Sequence, residues 1–123
     1  MAIEVPHILL VEDSESVAYA LQRYFEHNGY YVTVANNGME ALEISKDIAI
    51  DGLITDFKMP KMNGLDVIRK IREYQPNLPI LIVSAYIAEI VHLKDKNTRI
   101  FEKPVDMGRL LECIGKLLGK VLE

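Results

Sequence analysis

The sequence predicts a doubly wound α/β domain with a five-stranded parallel sheet, on three observations. Short apolar runs recur five times, segments with helical spacing separate them, and Pro and Gly fall at the boundaries. Several runs are apolar at every residue, the pattern of strands covered on both faces; a half-exposed antiparallel strand would alternate apolar with polar. Repeated β-α units require right-handed crossovers, so helices lie on both sides of the sheet.

The predicted strands are Ile8 to Val11, Tyr31 to Ala35, Leu53 to Thr55, Ile80 to Val83, and Ile100 to Phe101. The first helix carries Val17, Leu21, Tyr24 and Phe25 and stops at Asn28-Gly29, a good terminator. A second, about Gly38 to Lys46, follows the Asn36-Asn37 start signal and turns Met39, Leu42 and Ile44 inward. Asn63 caps a third, with Leu65, Ile68 and Ile71 at helical intervals and Pro76 and Pro79 closing it. A fourth helical segment runs from Tyr86 to about Lys94. Asp106 caps the last helix, whose apolar stripe is Leu110, Leu111, Ile114, Leu117, Leu118 and Val121.

The 123 residues suit one domain, read as spanning 1–123 with no effector domain. Half of the residues are hydrophobic and 26% charged, the balance of a folded globular chain. A net charge of -4 with scattered Lys and Arg gives no footprint for nucleic acid. No apolar run reaches the roughly 20 residues of a membrane span, and the N-terminus has no signal pattern, so a cytoplasmic setting is expected. The single Cys113 sits in an apolar periodic stretch and reads as a buried small hydrophobe; His7, His27 and His92 are dispersed and are assigned no chemistry.

In doubly wound sheets ligands bind beyond the carboxyl ends of the strands. Polar residues stand there at four of the five ends: Glu12 and Asp13, Asp56, Ser84, and Lys103. Carboxylates brought together repel one another unless a cation sits among them, and an all-oxygen set suits Mg²⁺. Lys103 and Ser84 supply a charge and a hydroxyl for phosphate oxygens, and a strand-end carboxylate can itself be the nucleophile that becomes an aspartyl phosphate. Asp56 is the best placed, directly after Leu53-Ile54-Thr55, with Met59-Pro60 stopping the strand and Asn63-Gly64 shaping the turn.

Val11-Glu12-Asp13, Asp56 with Met59-Pro60-x-Met62-Asn63-Gly64, Ser84-Ala85 and Lys103-Pro104 together resemble the receiver domain of two-component response regulators, over about Val5 to Leu118. The resemblance implies a flavodoxin-like fold with strand order 2-1-3-4-5. It implies Asp56 as phosphoacceptor, fed by a phosphohistidine on a histidine kinase or phosphotransfer protein. Asp13 would bind Mg²⁺ directly, Glu12 through water or as the outer acid, Asp56 itself, and Lys58 through its backbone carbonyl. Ser84 and Lys103 would contact the phosphoryl oxygens, the bond before Pro104 would be cis, and a homodimer through the last helices is an expected form.

The chain departs from the family pattern in three respects. The residue three before the Lys, usually aromatic, is Ile100, with Phe101 one place later; the stretch from Ser84 to Lys103 is short; and the common Gly-Ala before the last strand is missing. Lys58 and Tyr86 occupy positions that in similar proteins tune the phosphoryl lifetime. Two other readings compete: a receiver-like interaction module that works without phosphate, and a phosphohydrolase of the haloacid dehalogenase type. The latter places an acid two residues after its nucleophile, where this chain has Lys58.

Overall fold

The computed structural model describes residues 5–58 and 64–119. The expected positions Met59, Pro60, Met62, Asn63 and Val121 lie outside them. The elements run β1 (His7–Val11), α1 (Glu15–His27), β2 (Tyr31–Ala35), α2 (Gly38–Asp47), β3 (Gly52–Asp56), α3 (Gly64–Tyr74), β4 (Ile80–Ser84), β5 (Thr98–Glu102) and α4 (Met107–Leu117). The strands form one parallel sheet in the order β2-β1-β3-β4-β5, as expected. All five predicted strands are present, each at or within a residue or two of its expected ends.

Alternation along the strands splits the core in two. Leu9, Val11, Leu53, Ile80 and Ile82 face α2 and α3, while Ile8, Leu10, Ile54, Leu81 and Val83 face α1 and α4. Both faces are therefore apolar, and the unbroken hydrophobic runs follow from that. Gly52 marks the close seat of α4 on the sheet: a Cβ there would stand 2.9 Å from Ile8 Cδ1 and 3.0 Å from Ile114 Cδ1.

Side-chain caps start two helices. Asn37 Oδ1 accepts from the Glu40 N–H at 2.9 Å, and Asp106 Oδ1 from the Gly108 N–H at 2.8 Å. The chain leaves α1 through Gly29 at φ 91, a left-handed angle that glycine adopts without penalty. The start of α2 at Gly38 sets its phase: Gly38, Ala41, Leu42 and Ser45 are buried at the i, i+3, i+4, i+7 positions. Met39 consequently lies exposed on the outer side, against the expected inward position, and Val17 of α1 is exposed too.

The fourth helix is the main correction. Between β4 and β5 the chain makes two single 3-10 turns, Ile87–Glu89 and Val91–Leu93, instead of an α-helix over Tyr86 to Lys94. An antiparallel bridge between Asp95 and Thr98 then leads into β5. Arg72 of α3 ties this region down, donating to the carbonyls of Gln75, Pro76, Leu78 and Asn97 and to Thr98 Oγ1. Among the described residues no helix is long and apolar enough to cross a membrane.

Candidate functional site

Parallel register brings the strand ends to one rim. Val11 pairs with both Ala35 and Thr55, Asp56 with Val83, and Ser84 with Glu102. The residues just past β1 and β5, Glu12-Asp13 and Lys103, therefore flank Asp56 from either side. The Glu12 N–H donates to Ala35 O at 3.0 Å, Phe57 N–H to Val83 O at 3.0 Å, and Lys103 N–H to Ser84 O at 2.9 Å. Ladder bonds continue past each strand and fix where the site residues leave the sheet.

One carboxylate oxygen from each of Glu12, Asp13 and Asp56 lies within 4.8 Å of the other two. Glu12 and Asp56 are only 8% and 7% exposed, whereas Asp13 is open to solvent. Lys103 Nζ reaches Asp56 Oδ2 at 2.7 Å. One ammonium against three carboxylates leaves the pocket short of positive charge.

The protonation balance reflects this crowding. Burial is the main force raising the Glu12 carboxyl above its ordinary value; the Ser14 N–H, 3.1 Å from Oε2, offsets part of it, and the Asp56 charge and the Asp13 side chain add to the rise. Burial alone would lower the Lys103 ammonium. The Asp56 hydrogen bond and charge, aided by Glu12 and Asp13, carry it above its ordinary value instead. An all-oxygen cluster of this size, partly buried and carrying excess negative charge, fits Mg²⁺.

Ser84 is buried at the end of β4, and its Oγ accepts from the Tyr86 N–H at 3.1 Å. The Lys103–Pro104 peptide is cis, as expected. Lys58 is exposed, with its ammonium 4.7 Å from the centre of the Tyr86 ring, so the loops after β3 and β4 touch across the rim. Gly64 holds the far end of the β3–α3 loop: its N–H donates to Phe57 O at 2.9 Å, and a Cβ would stand 2.8 Å from that same oxygen.

Beside the acids, a cleft of about 570 Å³ opens between the start of α1 and the β5–α4 loop, floored by Leu10, Ile54 and Val83. Ile100 and Phe101 lie on opposite faces of β5. Ile100 packs toward α2 and α3, Phe101 toward α1 and α4, so the neighbouring aromatic does not substitute for the missing one. The structure brings together Glu12, Asp13, Asp56 and Lys103, with Ser84 on the adjacent strand end. Sequence reading missed the Lys58–Tyr86 contact and the Arg72 hub, neither of which leaves a spacing signal.

Fold and rim together define a doubly wound α/β domain with an acidic, lysine-paired rim at the carboxyl ends of its strands. The response regulator receiver domain model matches residues 8–115, and the chain belongs to that family. It is 42% identical to the response regulator MprA of Mycobacterium leprae over 92% of its own length and 51% of that relative's. The chain thus spans about half the length of MprA, and less of other curated relatives. Among solved structures, a response regulator receiver protein from Sinorhizobium medicae superposes with a TM-score of 0.88 at 30% identity, over 96% of this chain and 98% of that one. The response regulator TrrA of Thermotoga maritima, solved in complex with Mg²⁺ and BeF, gives 0.81 at 28% identity, over 91% and 98%.

Proposed function

We propose that this domain is a phosphorylation-dependent signalling switch that accepts a phosphoryl group on Asp56 from a partner's phosphohistidine. The observation that carries the reading is the 2.7 Å Lys103–Asp56 ion pair set inside a cluster of three carboxylates at the rim. In the transfer the Asp56 carboxylate attacks phosphorus, the P–N bond to the donor imidazole breaks, and the electron pair leaves with the ring. Lys103 then passes from the carboxylate to a phosphoryl oxygen, and the Ser84 hydroxyl donates to another.

Glu12, Asp13, Asp56 and the backbone carbonyl of Lys58 would hold Mg²⁺, which supplies charge neutralisation at the transferring group. The donor is a histidine kinase or a phosphotransfer protein of the cytoplasm. Phosphorylation adds charge at the rim and changes affinity for an output partner, without direct contact to nucleic acid, and a homodimer is one form that output can take.

Incubation with Mg²⁺ and a phosphorylated phosphotransfer protein, followed by intact mass, tests this. Wild type gains one phosphoryl group and Asp56→Asn none; a folded wild type that stays unmodified removes the reading. A receiver-like module that works without phosphate is the second reading, favoured by Ile100 at the usual aromatic position. Partner binding that is indifferent to phosphorylation would select it.

A further inference from the structure

Thr55 carries a hydroxyl at a place in the sheet where an apolar side chain would fit. It is 0% exposed, and its partners across the sheet, Val11 of β1 and Ile82 of β4, belong with Leu53 to the apolar layer that faces α2 and α3. Valine differs only in putting a methyl where the hydroxyl stands. A hydroxyl in such a layer gives up its hydration at a cost unless it is hydrogen-bonded. Thr55 Oγ1 is bonded, and its acceptor is the backbone carbonyl of Asp56 at 2.9 Å.

That carbonyl stands where the sheet's own bonding runs out on one side. β1 pairs with β3 as far as Val11 and Thr55, so Asp56 has no residue opposite it on β1, while its register with Val83 of β4 continues. Past Val11 the first strand has turned to β2, with the Glu12 N–H on Ala35 O. The peptide unit between Asp56 and Phe57 is nevertheless held at both ends: its N–H donates to Val83 O at 3.0 Å, and its carbonyl takes the Thr55 hydroxyl. Fixing that unit fixes the backbone angle at which the chain leaves Asp56. Two residues further on is the Lys58 carbonyl, a member of the proposed Mg²⁺ set, and the Phe57 carbonyl between them is tied to the Gly64 N–H at 2.9 Å.

We infer that Thr55 is a positioning residue for the rim: by holding the Asp56 carbonyl, its buried hydroxyl sets the Lys58 carbonyl and the Asp56 carboxylate in fixed relation to each other. The inference deepens the function proposed above and rests on it. Thr55 touches neither metal nor phosphate and acts through the backbone of Asp56. A group of this kind tunes a site by orienting the residues that do the binding, and its loss is felt in metal affinity and in transfer rate.

Two pairs of proteins, each differing at the hydroxyl, test this: wild type against Thr55→Val, and Thr55→Ser against Thr55→Ala. Two quantities are read on each, Mg²⁺ affinity by titration without any phosphodonor, and the rate of modification by a small acyl phosphate over a range of donor concentrations. Within each pair, loss of the hydroxyl should weaken Mg²⁺ binding about tenfold. It should also slow modification at saturating Mg²⁺ and donor about tenfold, with the half-saturating donor concentration unchanged. Thr55→Ser should stay within about twofold of wild type in both. Values that follow side-chain shape, with Val like wild type and Ser impaired, overturn the inference, as do equal values within both pairs; either result leaves the receiver reading intact. A folded wild type that binds Mg²⁺ and stays unmodified removes the receiver reading instead, and the Mg²⁺ titrations then decide the role of Thr55. The Ser and Ala pair gives the answer should Thr55→Val fail to fold.

Discussion

The rim around Asp56 and the segment from residue 85 to 97 are neighbours on one sheet, yet they are built on opposite plans. Asp56, Glu12 and Ser84 leave strands that are buried on both faces, and ladder bonds run on past the strand ends to hold them. The segment beyond Ser84 has one fully buried side chain before Thr98, that of Ile90, and its turns are closed by 3-10 bonds. Chemistry that needs fixed distances sits where burial is greatest; the part suited to respond sits where it is least. Ser84, at the end of β4, is where the two regions meet, its Oγ accepting from the Tyr86 N–H.

Substitutions that empty the core on each side of this divide break the comparison most strongly. Leu53→Ala, in the centre of β3, should cost about 3–5 kcal/mol of global stability in urea unfolding. Ile90→Ala should cost less than about 2 kcal/mol globally, because Ile90 is the one fully buried side chain holding the segment between Ser84 and Thr98, and should instead raise amide exchange over residues 86–97. Equal global losses would mean that the segment is part of the main cooperative unit.

Lys103→Met acts on the rim alone. Removing the only ammonium in contact with Asp56 among the described residues should slow phosphoryl transfer about 100-fold, with unfolding little changed. Stopped-flow transfer from a phosphorylated donor checks it. Arg72→Ala acts on the other region, removing the guanidinium from the Leu78 carbonyl and from Thr98 Oγ1, while Asn97 O keeps the Ile80 N–H, and should cost about 1–3 kcal/mol, read by thermal unfolding.

The smallest expected effect is in Mg²⁺ affinity. A carboxyl with a raised pKa keeps its proton to higher pH, so proton competition at Glu12 begins above the ordinary 4.5 and weakens binding as pH falls toward it. Glu12→Gln should flatten this dependence, measured by Mg²⁺ titration between about pH 5 and pH 8.

The comparison also explains what the sequence could reveal. Continuous apolar runs such as Ile80-Leu81-Ile82-Val83 exposed the buried strands, and polar residues at the strand ends gave Glu12, Asp13, Asp56, Ser84 and Lys103 without any need of helix boundaries. The edge strand β5 was legible only at Ile100-Phe101, because Thr98, Arg99 and Glu102 at its ends are polar or charged. The phase of α2 was ambiguous: Met39 and Leu42 share a spacing with Gly38 and Ala41, and small residues that pack closely carry little hydrophobic signal. Over Tyr86 to Lys94 the helical spacing predicts an α-helix that does not form. Tertiary ties at Tyr86, Ile90 and Asp95 outweigh propensity in so short a segment. Arg72 gave no sign because its five acceptors come from backbone and Thr98, brought near only by the fold.

The central claim is that gathered carboxylates bind Mg²⁺ and thereby prepare Asp56 for phosphorylation. Treatment with a small acyl phosphate, with Mg²⁺ or with chelator, followed by borohydride reduction and peptide mapping, tests it most directly. The account predicts one Mg²⁺-dependent modification, reduced at position 56, and its loss in Asp13→Asn. Labelling that persists in chelator, or that maps to another residue, would contradict it.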